Sequence, residues 1–297
     1  MSDLLDPMQN PVTYAVPFFV LSILVELAAL KWLDHDDNAT GYSFEDARAS
    51  LTMGAGSLLF LTAFKVGTFF VYNALYTYVA AWHLPADTWW FWVLLIVGLD
   101  FAYYCNHRFV HRTNIGWAAH QSHHSSEHMN FTTALRQKWN PWFEFFFWLP
   151  LPLLGFAPWT VYVAFSLNLV YQFFVHTELV DKLPRPVEFV FNTPSHHRVH
   201  HGSDPEYLDK NYGGILIVFD RLFGTFQPER HRPTYGLTTP VETYNVLKLE
   251  YSAFAELWRK VRSTNRFRNK LGFLLGPPGW EPAAAEPDHP APAGTGR

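Results

Sequence analysis

Cysteine is nearly absent from this sequence, which has only Cys105 among its 297 residues. An intramolecular disulfide framework and metal sites built from several cysteines are therefore excluded. Charge is also scarce, since charged residues make up 16% of the chain against roughly 25% in ordinary soluble domains. With a net charge of −4, the chain lacks the positive charge that nucleic-acid binding requires, so no nucleic-acid partner is expected.

The uncharged stretches are long enough to cross a lipid bilayer. Phe145–Thr177 contains no Asp, Glu, Lys or Arg, and Val66–Leu99 contains only Asp87. About 20 apolar residues suffice for a transmembrane helix. We therefore expect an integral, multi-pass membrane protein. A first apolar run, Val12–Leu30, has no basic residue before it and is interpreted as a retained span rather than a signal peptide.

The apolar runs predict an all-α, multi-pass helical bundle. Three spans are expected, over residues 12–30, 49–81 and 89–104. The uncharged block that follows is interrupted by Pro150, Pro152, Gly155 and Pro158, so it is expected to form two helices folded into a hairpin. The polar segments around the hairpin are rich in histidine and are predicted to form a helical cap at one membrane face.

The distribution of basic residues indicates which side of the membrane carries this cap. Three Lys and Arg residues lie before residue 100, and nineteen lie from Arg108 onward. Cytoplasmic segments next to membrane spans are enriched in Lys and Arg. Residues 106–140 and 178–270 are therefore predicted to face the cytoplasm, and the active site is expected on that side.

Histidine is the most informative residue in the chain, because eleven of the fifteen histidines lie between His107 and His201. Most of them belong to three motifs: HRFVH (His107, His111), HQSHH (His120, His123, His124) and HRVHH (His197, His200, His201). Residues three or four apart share a helix face, so the imidazoles of each motif are expected to converge. Neutral imidazole binds zinc, iron, copper or nickel. Together with His176, which follows the predicted hairpin, nine histidines exceed the needs of one ion and indicate two.

Other polar residues near the motifs are candidates for supporting roles. Metal-bound histidines usually donate their second N–H to a carboxylate or a carbonyl oxygen. The candidates for such support are Asp100, Glu127, His196 and Asp209. Asp100 lies two helical turns before His107 and inside a predicted span, where an ionisable residue is usually functional. His196 could instead be a ligand. Asn211 and Tyr212, which follow the third motif, could shape the substrate entrance.

The three motifs, with membrane spans before and between them, resemble the fatty acid hydroxylase superfamily, which includes the sterol desaturases. HQSHHSSEHMNFTTALRQ (residues 120–137) and NTPSHHRVHHGSDPEYLDKNYGGILIVFDRLFGTF (residues 192–226) most resemble its alkylglycerol monooxygenase branch. The resemblance implies a non-haem enzyme with two iron ions that uses O2 to hydroxylate or desaturate a C–H bond of a sterol, fatty acyl or ether lipid. It implies that the eight motif histidines, and His176, bind the iron. The electron donor would be a separate redox protein or a small reductant.

Two other function classes are compatible with a histidine-rich membrane protein. A metal transporter would bind its cargo near the membrane midplane on discontinuous helices, whereas these motifs flank the predicted spans. A zinc hydrolase needs only three protein ligands and a water. Lipid oxidation is therefore favoured over both, and the choice between hydroxylation and desaturation stays open.

Four segments are predicted along the chain. Residues 1–87 are the N-terminal membrane spans, and residues 88–230 are the catalytic domain that resembles fatty acid hydroxylases. Residues 231–276, which contain a cluster of basic residues, are expected to form a C-terminal helical segment in the cytoplasm or on the membrane surface. Residues 277–297 contain six prolines and are expected to be a disordered tail.

Overall fold

The computed structural model describes residues 11–32 and 39–282. These residues form helices α1 Pro11–Trp32, α2 Phe44–Tyr78, α3 Trp89–Arg112, α4 Asn114–His124, α5 Glu144–Trp148, α6 Pro150–Leu153, α7 Pro158–Val175, α8 Arg185–Val190, α9 Pro194–His200, α10 Val218–Leu222, α11 Val246–Arg262 and α12 Phe267–Leu275. A 3₁₀ helix, Thr133–Leu135, lies between α4 and α5. In these two ranges there is no strand, only two isolated β-bridges, so the all-α prediction is confirmed for them.

Two of the described helices are long and apolar enough to cross a membrane: Tyr14–Trp32 within α1, and α2. Much of their apolar surface faces outward, since Phe18, Leu59 and Tyr78 are 63%, 70% and 84% exposed. Extended exposed apolar surface of this kind usually contacts a membrane or another protein. The third predicted span corresponds to α3, which continues eight residues past its expected end at residue 104 and contains the first histidine motif in this extension.

The predicted hairpin differs from expectation in its first limb. That limb consists of α5 and α6, which together form the short apolar segment Glu144–Leu153. Pro150 and Pro152 interrupt the helix and keep this limb short. Ten residues extend only about 15 Å as a helix, which is half of the roughly 30 Å hydrocarbon core. The tip of the hairpin contacts the connector between α2 and α3, since Leu84 N donates to Gly155 O at 2.9 Å.

An apolar core lies between α3 and the hairpin. Phe91, Leu95 and Leu99 of α3 are buried against Trp148 of α5 and Phe165 of α7. Burial of such side chains contributes roughly 1.5–3 kcal/mol each. These contacts hold the C-terminal end of α3, with its two histidines, in a fixed position relative to the end of α7 and His176.

Close packing also places α2 against the segment that follows α4. A Cβ atom at Gly56 would lie 2.4 Å from the Trp139 ring, and one at Gly54 would lie 2.7 Å from Leu135 O. The Trp139 indole donates to Met53 O at 2.9 Å. The two glycines therefore allow α2 to pack closely on the Trp139 ring and on the backbone at Leu135.

The C-terminal helices α11 and α12 pack on α4. Leu257 and Val261 of α11 and Phe273 of α12 are buried with Ala118 of α4. Trp280 packs on Phe273 with ring centroids 5.3 Å apart. The segment just past the expected tail boundary at residue 277 is thus packed on α12, and residues 283–297 of the predicted tail lie outside the described residues.

Candidate metal centre

Four parts of the chain bring the predicted histidine ligands together. The end of α3 contributes His107 and His111, α4 contributes the second motif, α9 contributes the third, and His176 directly follows α7. A tight turn joins α3 to α4: Thr113 caps α4 by accepting a hydrogen bond from Gly116 N at 3.2 Å. A Cβ at Gly116 would lie 2.5 Å from Val110, so this turn requires glycine and brings the first two motifs into contact.

The nine histidines form two adjacent groups, within each of which the candidate ligand atoms all lie within 4.8 Å of one another. The five-histidine group contains His107, His111, His120, His124 and His200, and the four-histidine group contains His123, His176, His197 and His201. All nine side chains are buried. The groups meet where the rings of His124 and His201 stack, with centroids 4.4 Å apart.

The second and third motifs each divide between the two groups, so the expectation that each motif converges on one point is wrong. His120 and His124 belong to one group and His123 to the other. On a helix, side chains four apart differ by about 40° in direction, while those three apart differ by about 60° in the opposite sense. A motif with spacing i, i+3, i+4 therefore serves two neighbouring sites.

Backbone carbonyls orient four of the rings. The Nδ1 atoms of His107, His123, His176 and His200 lie 2.7–3.0 Å from the carbonyl oxygens of Tyr212, Arg136, Gln172 and Lys210. A carbonyl oxygen can only accept a hydrogen bond, so each Nδ1 carries the proton of the neutral ring. The Nε2 lone pairs of these rings are left to face the interior of the groups.

This arrangement places nitrogen lone pairs opposite one another. His123 Nε2 and His176 Nε2 are 3.3 Å apart, and both rings already use Nδ1–H for a carbonyl, so no proton lies between them in their neutral forms. In addition, Nε2 of His111, His200 and His201 is buried without a hydrogen-bond partner. Two sets of converging lone pairs, buried and unsatisfied, fit two metal cations.

Burial keeps these imidazoles in the form that binds metals. It lowers the pKa of His200 to about 4, although the hydrogen bond to the Lys210 carbonyl acts in the opposite direction. Burial, followed by the influence of neighbouring histidines, also places the pKa values of His120 and His201 well below their usual range. Metal binding requires neutral histidine, so at neutral pH these rings need lose no proton.

Of the predicted supporting residues, Asp100 acts on the backbone rather than on a histidine. Its carboxylate accepts hydrogen bonds from Ile215 N at 2.7 Å, Leu216 N at 2.8 Å and the Asn168 amide at 2.8 Å. These contacts fix the loop just after Tyr212, whose carbonyl orients His107. Asp100 therefore positions a histidine indirectly, because three donors already occupy its oxygens.

The other three candidates lie at the edge of the groups or away from them. Asp209 pairs with Arg112 at 3.0 Å and is 3.9 Å from His111 Nδ1, too far for a hydrogen bond. Glu127 is exposed. His196 is outside both groups. Its Nε2 lies 2.9 Å from a carboxylate oxygen of Glu188 instead.

The two predicted entrance residues have different roles. Asn211 is buried, and its amide bonds the backbone: Nδ2 donates to His196 O at 3.0 Å and to Gln227 O at 2.8 Å. With a φ of 56°, it holds a turn rather than an entrance. Tyr212 is buried at the five-histidine group, with its ring centroid 5.3 Å from that of His111, and its hydroxyl has no hydrogen-bond partner.

Two buried charged residues that support the groups were not predicted. Arg136, whose carbonyl orients His123, is held by Asp46 Oδ1 at 2.5 Å and by the Ser125 hydroxyl at 2.7 Å. Glu26 of α1 accepts hydrogen bonds from Phe131 N and from Thr177, the residue after His176. Glu26 was detectable in the sequence as the one charge in the first apolar run, whereas nothing near Arg136 indicated its burial.

Comparison with known proteins identifies relatives over most of the chain. Alkylglycerol monooxygenase from Danio rerio is 42% identical over 272 residues, 91% of this chain and 60% of that protein. The Homo sapiens alkylglycerol monooxygenase is 39% identical over 283 residues, 94% of this chain and 62% of that protein. An ornithine lipid hydroxylase from Rhizobium tropici is 28% identical over 175 residues, 54% of this chain and 48% of that protein. No solved structure matches the chain significantly.

The chain thus spans about three fifths of the length of the two alkylglycerol monooxygenases. The model of the fatty acid hydroxylase family matches residues 92–225. This range contains all nine histidines of the two groups and the Asp100 and Arg136 side chains that hold their surroundings. Residues 92–225 therefore match the fatty acid hydroxylase family, and the chain is similar to the alkylglycerol monooxygenases over most of its own length.

Proposed function

We propose that this protein is an integral-membrane, non-haem di-iron oxygenase that uses O2 to hydroxylate a C–H bond of a lipid. The observation that carries the proposal is the pair of adjacent groups of buried histidines, within each of which the candidate ligand atoms converge. In the four-histidine group, His123 and His176 face each other through Nε2 atoms with no proton between them in their neutral forms. The relatives support the reaction class, since they are named as monooxygenases of alkylglycerols and as a hydroxylase of ornithine lipids.

One iron would be held by the five-histidine group and the other by the four-histidine group. Bound there, the two irons would supply the redox chemistry for O2 that protein side chains cannot supply. The overall balance is RH + O2 + 2 electrons + 2 protons → ROH + H2O, with a separate reductant as the electron source. The contribution of the chain is to hold neutral imidazoles in fixed orientations and to exclude bulk water, since all nine rings are buried.

The lipid would approach the five-histidine group from the membrane side of the cap. The Tyr103 ring lies 5.2 Å from the His107 ring and 6.5 Å from the buried Trp148 ring. These aromatic side chains connect the apolar core between α3 and the hairpin to the metal groups. A hydrocarbon chain would lose no hydrogen bonds along such a path, and it would displace water from the reacting carbon.

The membrane arrangement that we propose has three spans, α1 to α3, and a re-entrant hairpin formed by α5, α6 and α7. The contact between the hairpin tip and the connector after α2, through Leu84 and Gly155, supports the placement of both loops on the same side. Both loops lack Lys and Arg, so the cap with its metal groups would face the cytoplasm. Residues 231–276 would lie beside the cap at the membrane surface.

Hydroxylation is favoured over desaturation because the similar proteins are named for it. The test uses membranes from a strain that lacks the gene and carries either the intact gene or its His123→Ala variant, supplied with ¹⁸O2. We expect one lipid class to gain a single ¹⁸O atom only with the intact protein. Lipids that instead lose two hydrogens without gaining ¹⁸O would replace hydroxylation by desaturation, and identical lipids in both strains would contradict the proposal.

A further inference from the structure

An open groove of about 490 Å³ runs along the outer face of α3, outside the histidine groups. Its principal lining residues are Phe101, Tyr104, Cys105, Arg108, Phe109 and Phe223. It begins at the part of α3 that belongs to the proposed third span and ends near Arg112, in the last turn of the helix. The groove therefore extends from the proposed hydrocarbon region to the cytoplasmic surface.

The chemical character of the groove changes along its length. At the membrane end, the rings of Phe101 and Phe223 lie 6.1 Å apart and are 41% and 49% exposed. At the cytoplasmic end are two guanidinium groups, those of Arg108 and Arg112. An apolar trough that ends in positive charge is complementary to an amphiphile with an acyl chain and an anionic headgroup.

Of the two arginines, Arg108 has donors free for a ligand. It donates one hydrogen bond, from Nη1 to the Tyr104 hydroxyl at 3.1 Å, and within residues 11–32 and 39–282 no carboxylate lies within ion-pair distance of it. Arg112 is instead paired with Asp209 at 3.0 Å. The guanidinium group has five N–H donors, whose planar arrangement matches phosphate oxygens. Arg108 is therefore a cation without an anionic partner at the end of an apolar groove.

We propose that this groove binds one anionic phospholipid, with its phosphate on Arg108 and an acyl chain along Phe101 and Phe223. The proposal rests on the membrane placement in the proposed function. Tyr104, which contacts Arg108, has its ring 6.2 Å from that of Tyr212, and Tyr212 packs against the five-histidine group. The bound phospholipid would therefore be separated from the five-histidine group by the side chains of Tyr104 and Tyr212.

Cys105 makes the proposal directly testable, because it lines the groove and is the only cysteine in the chain. The rate of Cys105 alkylation by a maleimide is measured in detergent without lipid, with dioleoylphosphatidylglycerol, and with dioleoylglycerol, which lacks the phosphate. The ratio of the rates without and with lipid is a protection factor within each variant. Changes in the intrinsic reactivity of the thiol therefore cancel.

We expect phosphatidylglycerol to protect Cys105 by about fivefold or more, the effect of one basic residue near an anionic lipid. Dioleoylglycerol should give little protection. Arg108→Gln should abolish the protection, and Phe223→Ser, at an exposed position, should reduce it. Arg259→Gln, which removes an exposed arginine from α11, is the matched control and should protect as the wild type does.

Equal protection by dioleoylglycerol, or unchanged protection in both Arg108→Gln and Phe223→Ser, would overturn the proposal. Loss of protection in Arg259→Gln as well would mean that positive charge anywhere on the surface attracts the lipid. This result would overturn the assignment of the phospholipid to the groove. The measurement requires neither iron nor O2 nor turnover. A negative result therefore leaves the proposed di-iron function intact, and failure of that function leaves this binding measurable.

Discussion

Alanine at His200 or at His123 will reduce lipid oxidation by more than about 100-fold, because loss of a residue that only supports a metal ligand already costs 10–100-fold. The two variants remove one imidazole from different groups: His200 from the five-histidine group and His123 from the four-histidine group. Each should lower the iron content of the purified protein, measured by elemental analysis, with the larger loss at its own site.

The control for this prediction is His231→Ala. His231 lies outside both groups, and its side chain is 51% exposed, so we expect wild-type iron content and activity. Unchanged iron stoichiometry in both His200→Ala and His123→Ala would remove these residues from the ligand set. Loss of iron in His231→Ala would show that the assay responds to general damage.

Asp46→Ala will destabilise the protein by about 3–5 kcal/mol, the usual cost of leaving one member of a buried ion pair without its partner. Asp46 and Arg136 are 3% and 1% exposed and 2.5 Å apart. Removal of the carboxylate leaves the guanidinium buried, with only the Ser50 and Ser125 hydroxyls and the Asp46 carbonyl as acceptors. Because the Arg136 carbonyl orients His123, we also expect a weaker four-histidine site. The free energy of unfolding in detergent measures the main effect.

The neighbouring residue gives a matched control for Asp46. Glu45 pairs with Arg48 on the surface, where both side chains are about half exposed, so Glu45→Ala should cost no more than about 1 kcal/mol. The double variant Asp46→Ala, Arg136→Met removes both buried charges and should recover part of the lost stability. Equal costs for Asp46→Ala and Glu45→Ala would contradict the structural role assigned to the buried pair.

The sequence predicted the histidine set but not its division into two groups. Spacing within the three motifs identified eight of the nine residues that the structure brings together, and the position after the predicted hairpin identified His176. Which imidazoles share a group depends on the crossing of α3, α4 and α9, and this is a tertiary property. The spacing is compatible with one converging site or with two neighbouring sites, so the assignment of His123 and His201 to the same group needed the fold.

The supporting residues were predicted less well, because their partners are distant in sequence. The position of Asp100 in a predicted span indicated a special role, and its actual partners are amides 115 and 116 residues further along the chain. Glu26 likewise contacts Thr177, 151 residues away. For the fold, apolar runs located α1, α2 and α3 to within a few residues at most ends. The apolar runs did not reveal that α5 and α6 form a short limb. The segment around Pro150 and Pro152 stays apolar as a whole, although the prolines interrupt its helix.

The central claim is that the two histidine groups hold two iron ions in a lipid-oxidising enzyme. Its most direct test is the metal content of the intact protein, purified from membranes after expression with iron and zinc both available, combined with X-ray absorption at the iron edge. The account predicts two irons per chain with nitrogen-rich coordination. A single zinc ion per chain, or iron bound mainly by oxygen ligands, would contradict it.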